Sequence, residues 1–262
     1  MVRLVIVGGG KMGEALLGGL IDGGWGSAEE LAVVEKVEPR RAELAARFPG
    51  VTVTDEVVAA DGAVVAVKPD DVVAACGLLA AQGVRRVLSI AAGVTIARLE
   101  EALPAGTPVI RAMPNTPALV GAGASAIAGG SAAGPDDLAW AEQVLAAVGI
   151  VVRVAEKQLD AVTGLSGSGP GYVFLVAEAM IEAGVLVGLP RDVATQLAVQ
   201  TLLGSARLLE TGTPAAELRA GVTSPGGTTA AGLRRLEAAG VRAAFLDAVD
   251  AATARSRELG AG

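Results

Sequence analysis

The stretch LVIVGGGKMG, residues 4–13, decides the fold of this chain. Four apolar residues are followed by a glycine cluster and then by the apolar spacing of a helix, which predicts a strand, a tight turn and a helix. Gly8, Gly10 and Gly13 have the G-x-G-x-x-G spacing that lets a pyrophosphate approach bare backbone at a helix N-terminus. The spacing predicts a site for a nicotinamide or flavin dinucleotide, with a flexible glycine turn as the plainer alternative.

Length and composition narrow the class of protein. A chain of 262 residues can form one large domain or two modest ones, and we expect two. The formal net charge is -7 and no cluster of five or more basic residues occurs, which argues against a nucleic-acid or anionic-membrane partner. The longest uncharged run, residues 112–135, is broken by prolines and glycines, so it cannot form a membrane-spanning helix. The first strand begins almost at the N-terminus and leaves no room for a signal peptide, so we expect a cytoplasmic protein that acts on a small molecule.

An acidic residue follows the second predicted strand. Residues 31–35, LAVVE, end on Glu35, about 22 residues beyond Gly13, near the place where dinucleotide-binding folds hold the ribose with a carboxylate. Such a carboxylate would accept from a 2′-hydroxyl and repel a 2′-phosphate, which the neighbouring Lys36, Arg40 or Arg41 could bind instead. The alternative is a solvated strand end beside Lys36.

Three further strand ends carry candidate cofactor contacts. The apolar strand 63–67 stops at Lys68 and Pro69, and proline cannot continue a central strand, so Lys68 lies at a carboxyl end, where ligands bind in open α/β sheets. After strand 87–90, the small turn Ala91-Ala92-Gly93 would let a flat ring lie close. After strand 109–113, Pro114 and Asn115 begin a rigid, polar loop.

The pattern changes from alternating strands and helices to helices alone near residue 155. Residues 121–130 predict a further edge strand and residues 149–154 the last strand, whereas residues 170–187, 192–210, 228–239 and 241–257 predict helices. We therefore expect a Rossmann-type doubly wound sheet over residues 1–155, followed by an all-helical domain over residues 156–262. The helical segments are so apolar that they predict dimerisation.

The side chains available limit the chemistry. The sequence has no histidine and only four lysines, so a histidine-based catalytic triad or zinc site is excluded, and we expect no metal. A hydride transfer to an already protonated imine fits, because the substrate brings its own proton. Residues 223–229, TSPGGTT, place four hydroxyls and a Pro-Gly-Gly turn before a helix, which predicts a carboxylate or phosphate cradle. An ordinary helix cap is the alternative.

Five motifs in this order resemble those of the pyrroline-5-carboxylate reductases over nearly the whole chain. They are Gly8-x-Gly10-x-Met12-Gly13-Glu14-Ala15, Ala66-Val67-Lys68-Pro69, Arg111-Ala112-Met113-Pro114-Asn115, Ser166-Gly167-Ser168-Gly169-Pro170 and Ser224-Pro225-Gly226-Gly227-Thr228-Thr229. The resemblance implies reduction of 1-pyrroline-5-carboxylate to L-proline by NADPH or NADH, the last step of proline biosynthesis. It also implies a homodimer, or a larger oligomer built from dimers, with the substrate site at the subunit interface.

The resemblance, together with the strand ends above, assigns two sets of residues. The cofactor set is Gly8, Gly10, Lys11, Met12, Gly13, Glu35, Lys36, Ala66, Val67, Lys68, Pro69, Ile90, Ala91, Ala92, Pro114 and Asn115. The substrate set is Ser224, Gly226, Gly227, Thr228 and Thr229, with Thr229 as the catalytic residue.

Two departures from the family pattern and two rival functions accompany this assignment. Residues 54–61 are shorter than the family's usual stretch, which puts a contact to the adenine ribose in doubt, and Gly171 stands where alanine is usual. A hydroxyacid dehydrogenase of similar architecture would need a lysine on helix 170–187, which has none. A dinucleotide-binding regulator without chemistry would have no need of the anion cradle.

Overall fold

The computed structural model of the chain describes residues 2–260. The chain divides into two compact units, one holding the residues up to Ser168 together with those from Asp250 onward, and the other holding Gly169–Val249. By compactness, therefore, the division falls after Ser168, and the end of the last helix belongs to the first unit. The sequence-based division at residue 155 remains a prediction.

The first unit is built on an eight-stranded sheet. Its strands are β1 (Leu4–Val7), β2 (Leu31–Val34), β3 (Thr52–Thr54), β4 (Gly62–Val65), β5 (Val87–Ser89), β6 (Val109–Met113), β7 (Gly123–Gly129) and β8 (Gly149–Arg153). The helices of this unit that precede residue 169 are α1 (Lys11–Asp22), α2 (Glu38–Arg47), α3 (Val72–Ala81), α4 (Ile96–Glu101), α5 (Pro135–Ala146) and α6 (Leu159–Val162). The strand order is β3-β2-β1-β4-β5-β6-β7-β8, and every neighbouring pair is parallel except β6 and β7.

This order creates a switch point beside β1. The chain runs outward from β1 to β2 and β3, then returns to place β4 on the other side of β1. In open α/β sheets a crevice forms outside the carboxyl ends of the strands at such a point, and ligands bind there. The Rossmann-type doubly wound sheet expected from the sequence is confirmed.

Apolar clusters cover both faces of the sheet. Along β1, Leu4 and Ile6 pack into one cluster with α1 and α5, while Val5 and Val7 pack into another with α3. Strands buried on both faces read as continuous apolar runs, which is why β1, β2 and β4 were recognisable in the sequence. The second cluster contains Cys76, which is fully buried as expected; burial raises the pKa of its thiol to about 11.

Two strands differ from the sequence-based expectation. The strand predicted at 63–67 is β4, and it ends at Val65, before Lys68. The strand predicted at the sheet edge over 121–130 is β7, which lies between β6 and β8, so that expectation was wrong. The chain returns from β6 through a short 3-10 turn, Thr116–Val120, so β7 pairs antiparallel with β6, and β8 is added outside it after α5.

The second unit is helical and leaves much apolar surface uncovered. It contains α7 (Gly169–Leu186), α8 (Arg191–Glu210), α9 (Ala215–Gly221), α10 (Thr228–Ala238) and the beginning of α11 (Val241–Gly260). No residue of α7 is buried, and Phe174 and Leu175 are 64% and 65% exposed. By length and composition alone, one described helical stretch, Glu156–Leu186, would be able to cross a membrane.

Candidate functional site

The glycine turn after β1 has a shape that only glycine allows. Gly8 has φ +112°, and a Cβ atom there would lie 2.5 Å from the carbonyl oxygen of Ala66, so the turns after β1 and β4 touch. A Cβ atom on Gly13 would clash with the carbonyl oxygen of Gly8. Gly10 is the N-cap of α1 and makes no side-chain cap. A Cβ atom placed on Gly10 would meet nothing within 4 Å. No side chain caps the start of α1, which leaves its first N–H groups available to a pyrophosphate.

The other predicted cofactor residues gather at the same edge of the sheet. The strands β1, β2, β4, β5 and β6 are parallel, so their carboxyl ends lie along one edge. Of the residues beyond these ends, Lys11, Lys36, Lys68, Pro69 and Ala92 are exposed, whereas Ala91 and Pro114 are buried and Met12, Glu35, Ala66, Val67, Ile90 and Asn115 are intermediate.

Glu35 is held against the glycine turn. Its Oε2 accepts a hydrogen bond from the N–H of Gly9 at 3.1 Å, and its Oε1 accepts from the N–H of Val37 at 2.9 Å. Two backbone donors fix the carboxylate beside the turn after β1. In dinucleotide-binding folds the carboxylate at this strand end binds the hydroxyls of the ribose.

The two arginines considered as phosphate ligands have internal partners. Arg40 donates from Nε to the carbonyl oxygen of Gly9 at 2.9 Å, and its terminal nitrogens bind the carboxylates of Glu14 and Glu43. Arg41 donates to the carbonyl oxygens of Glu35 and Lys36, at 2.9 and 2.8 Å, and lies 3.6 Å from the carboxylate of Asp55. Within residues 2–260, only Lys36 of the three cations has no ion-pair or hydrogen-bond partner for its side chain.

Asn115 joins two polar stretches that are far apart in sequence. Its Nδ2 donates to the carbonyl oxygen of Ser166 at 3.0 Å, and its Oδ1 accepts from the N–H of Ala124 at 2.8 Å. Ser166 belongs to a π-helical turn, Thr163–Gly167, a feature that often marks functional sites. A Cβ atom on Gly167 would lie 2.6 Å from the Met113 methyl carbon, so Met113 packs against the end of this turn. The sequence indicated two separate polar loops, and the π turn was not foreseen.

The loop before α10 has the geometry of a tight turn that leads into a helix. The N–H of Gly227 donates to the carbonyl oxygen of Ser224 at 3.0 Å, Pro225 precedes Gly226, and Gly226 has φ +70°. Proline at the second position and a left-handed glycine at the third are typical of a type II turn. Gly227 is then the N-cap of α10 and provides no side-chain cap, so the first N–H groups of the helix remain open.

Three of the four hydroxyls expected in this loop are available to a ligand. Thr223 donates its hydroxyl to the carbonyl oxygen of Arg219 at 2.6 Å. Ser224, Thr228 and Thr229 have no side-chain hydrogen bond within the described chain, and Thr229 lies in the first turn of α10, as expected. The loop therefore presents hydroxyl and N–H donors together and no basic side chain of its own, and donors grouped at a helix start suit an anion.

Comparisons with known proteins match the chain along its whole length. Residues 156–259 match the family model for pyrroline-5-carboxylate reductase dimerisation, and residues 3–93 match that for NADP oxidoreductase, coenzyme F420-dependent. The pyrroline-5-carboxylate reductase of Mycobacterium leprae is 47% identical, over 99% of this chain and 97% of that one. A pyrroline-5-carboxylate reductase structure from Coxiella burnetii has a TM-score of 0.92 at 36% identity, covering 98% of both chains. The pyrroline carboxylate reductase of Plasmodium falciparum, solved with NADP bound, has a TM-score of 0.84 at 29% identity, covering 99% of this chain and 98% of that one.

Proposed function

This chain belongs to the pyrroline-5-carboxylate reductase family, and we infer that it reduces 1-pyrroline-5-carboxylate to L-proline with a hydride from NAD(P)H. One observation carries the inference: the chain has both a glycine turn at the switch point of the sheet and a loop of hydrogen-bond donors before α10. The chain is also similar to these reductases along its full length. The turn suits a dinucleotide and the loop suits the carboxylate of a small acid. A reductase of a cyclic imino acid needs both.

The proposed roles of the residues follow from the groups that they present. The N–H groups at the start of α1 bind the cofactor pyrophosphate, with Lys11 adding a positive charge, and the cofactor supplies the hydride when bound. The Ser224 hydroxyl and the N–H groups after Gly227 bind the substrate carboxylate, while Thr229 orients the imine end. Since the imine nitrogen arrives protonated, the chain needs no general acid of its own, which fits a sequence without histidine.

We propose that both NADH and NADPH serve and that NADH is the better cofactor. Glu35 supports this proposal, because a carboxylate fixed beside the glycine turn accepts from a ribose hydroxyl and repels a 2′-phosphate. Arg40 and Arg41 offer little compensation, since carboxylates and backbone carbonyls already bind both guanidinium groups. Lys36 remains the one nearby cation for a 2′-phosphate in the part of the chain that the structure describes.

We propose further that the active form is a homodimer or a larger oligomer built from dimers. The match of residues 156–259 to a dimerisation model supports a homo-oligomer, and the uncovered apolar side chains of α7, including Phe174 and Leu175, need a partner surface. A cytoplasmic location and the absence of nucleic-acid and membrane partners stay predictions.

The experiment that tests the proposed reaction is NAD(P)H oxidation in the presence of the cyclic imine acid. Gly8→Ala should abolish both cofactor binding and turnover, because its Cβ would press on Ala66, whereas Gly77→Ala is a matched control in α3 whose Cβ meets nothing within 4 Å. We expect oxidation only with the imine acid. Equal turnover with simple 2-keto acids, or equal NAD(P)+ reduction with 3-hydroxy acids, would contradict the proposed reaction.

A further inference from the structure

The middle glycine of the triplet, Gly9, is held from both sides although it is not part of the dinucleotide fingerprint. Its N–H donates to Glu35 at 3.1 Å and its carbonyl oxygen accepts from Arg40 Nε at 2.9 Å. It is buried, and a Cβ atom there would lie 2.6 Å from Leu44 Cδ1. Arg40 and Leu44 both belong to α2, so α2 contacts the glycine turn directly.

Arg40 also reaches the first turn of α1. One terminal nitrogen binds Glu14, while the other binds Glu43 at 2.9 Å. The second oxygen of Glu14 is bound by Arg47 at 2.6 Å. The side chains of Arg40 and Glu14 are only 25% and 17% exposed, so this ion cluster is shielded more than a surface pair. The Arg40 guanidinium therefore binds both the carbonyl oxygen of Gly9 in the glycine turn and the carboxylate of Glu14 in α1, the helix that follows the turn.

The charge of Glu14 makes this contact important for an anionic ligand. A carboxylate in the first turn of α1 interacts favourably with the helix dipole, but it repels a pyrophosphate bound at the same end of the helix. Burial alone opposes ionisation of Glu14, yet its hydrogen bonds and charge interactions with Arg40 and Arg47 outweigh burial and lower its pKa. The carboxylate is therefore ionised at neutral pH, and the two arginines neutralise it.

We propose that Arg40 is a positioning residue for the cofactor: it fixes the glycine turn relative to α1 and neutralises Glu14, without reading the 2′ position of the ribose. The inference rests on the proposed use of NAD(P)H. It implies that loss of Arg40 weakens NADH and NADPH binding by the same factor, whereas an arginine that bound a 2′-phosphate would matter for NADPH alone.

The test compares Arg40→Gln with a matched control, Arg153→Gln. Arg153 lies on the edge strand β8, forms a bidentate ion pair with Glu142 and does not contact the glycine turn. Dissociation constants for NADH and NADPH are measured by fluorescence titration, together with kcat, both KM values and the melting temperature. A charge-assisted hydrogen bond has a typical strength that corresponds to roughly tenfold or more in binding.

We expect Arg40→Gln to raise both cofactor dissociation constants roughly tenfold, equally within about twofold, with the KM of the imine acid close to that of the control. The melting temperature should fall somewhat further than in the control, because the Arg40 cluster is more shielded than the Arg153 pair. Glu14→Gln should not weaken cofactor binding, because it removes a charge that repels the pyrophosphate. In the Glu14→Gln background, Arg40→Gln should have a smaller effect than it has alone, because the charge that it would expose is gone. If Arg40→Gln does not fold, Arg40→Lys is measured instead. Because lysine keeps the charge that neutralises Glu14 but cannot bind all three partners, it should weaken both cofactors equally, by less than tenfold.

Three results would overturn the proposal: unchanged cofactor binding, a loss confined to NADPH, or an equal loss for the imine acid that accompanies a large drop in melting temperature. If the unaltered chain binds neither cofactor, the proposed use of NAD(P)H is wrong. If it binds both and one of the three results above is found, only the proposed role of Arg40 is wrong.

Discussion

Replacing Glu35 by serine should move the cofactor preference from NADH toward NADPH. At an assumed distance of about 4 Å, the repulsion between this half-buried carboxylate and a 2′-phosphate lies between about 1 kcal/mol, the value in water, and about 4 kcal/mol, the value near a protein surface. We take the lower part of this range, roughly 1–2 kcal/mol, because salt screens a partly exposed pair. Serine also removes a charged acceptor for the 2′-hydroxyl of NADH, worth about 1 kcal/mol or more. The sum, about 2–3 kcal/mol, corresponds to a change of roughly 30- to 150-fold in the ratio of kcat/KM values.

The ratio isolates the effect of Glu35 on the ribose. The N–H groups of Gly9 and Val37 lose their acceptor for both cofactors alike, so that loss cancels when the two kcat/KM values are divided. The assay is steady-state oxidation of NADH and of NADPH at saturating imine acid. Glu38→Ser, which removes an exposed carboxylate at the start of α2, is the charge-matched control and should leave the ratio unchanged. An unchanged ratio for Glu35→Ser would place Glu35 outside the ribose pocket and refute the reasoning.

Three further predictions concern the donor loop, the oligomer and pH. Thr229→Ala should lower kcat/KM by tens to hundreds of fold, the scale of about 2–4 kcal/mol for a well-placed donor. Thr223→Ala should not, because the Thr223 hydroxyl already donates to the carbonyl oxygen of Arg219 in α9. Wild-type kinetics for Thr229→Ala would show that its hydroxyl has no part in the reaction. A fall mainly in kcat would indicate that the hydroxyl orients the imine, and a rise mainly in KM that it binds ground and transition states alike. Light scattering at micromolar concentration should give at least twice the chain mass of 25.8 kDa, and a monomer would contradict the proposed dimer. Because the folded-state pKa of Glu14 is lowered, its stabilisation is present above the ordinary glutamate value of about 4.3 and is lost as the pH falls through the lowered pKa. The melting temperature of the wild type should therefore exceed that of Glu14→Gln at neutral pH and converge with it in acid, and a gap that stays constant down to pH about 2 would contradict this.

The parts of the fold that were predictable depend on local signals. The turn within residues 4–13 needs glycine because of its local backbone conformation, as the positive φ of Gly8 shows. The strands β1, β2 and β4 are apolar because both faces of the sheet are covered. The start of α10 was recognisable for the same reason, since Pro225 and Gly226 determine the turn before it. Such features can be read from the sequence one segment at a time.

The parts that were missed depend on contacts between distant segments. Whether β7 lies at the edge or inside the sheet is decided by β8, which comes later in the chain. The charge of Arg40 was visible in the sequence, but its pairing with Glu14, 26 residues earlier, was not. Likewise, the amide of Asn115 bonds Ser166, 51 residues later, and no local pattern indicates that pairing.

The most direct test of the central claim is to follow the hydride itself. The protein is incubated with 1-pyrroline-5-carboxylate and NADH in which both hydrogens at C4 of the nicotinamide are deuterium, and the proline formed is examined by mass spectrometry and NMR. Transfer to the imine carbon predicts one deuterium per molecule, at the δ carbon of L-proline, and one NADH oxidised per proline formed. Proline without deuterium, deuterium at another carbon, or NADH oxidation without proline would contradict the account.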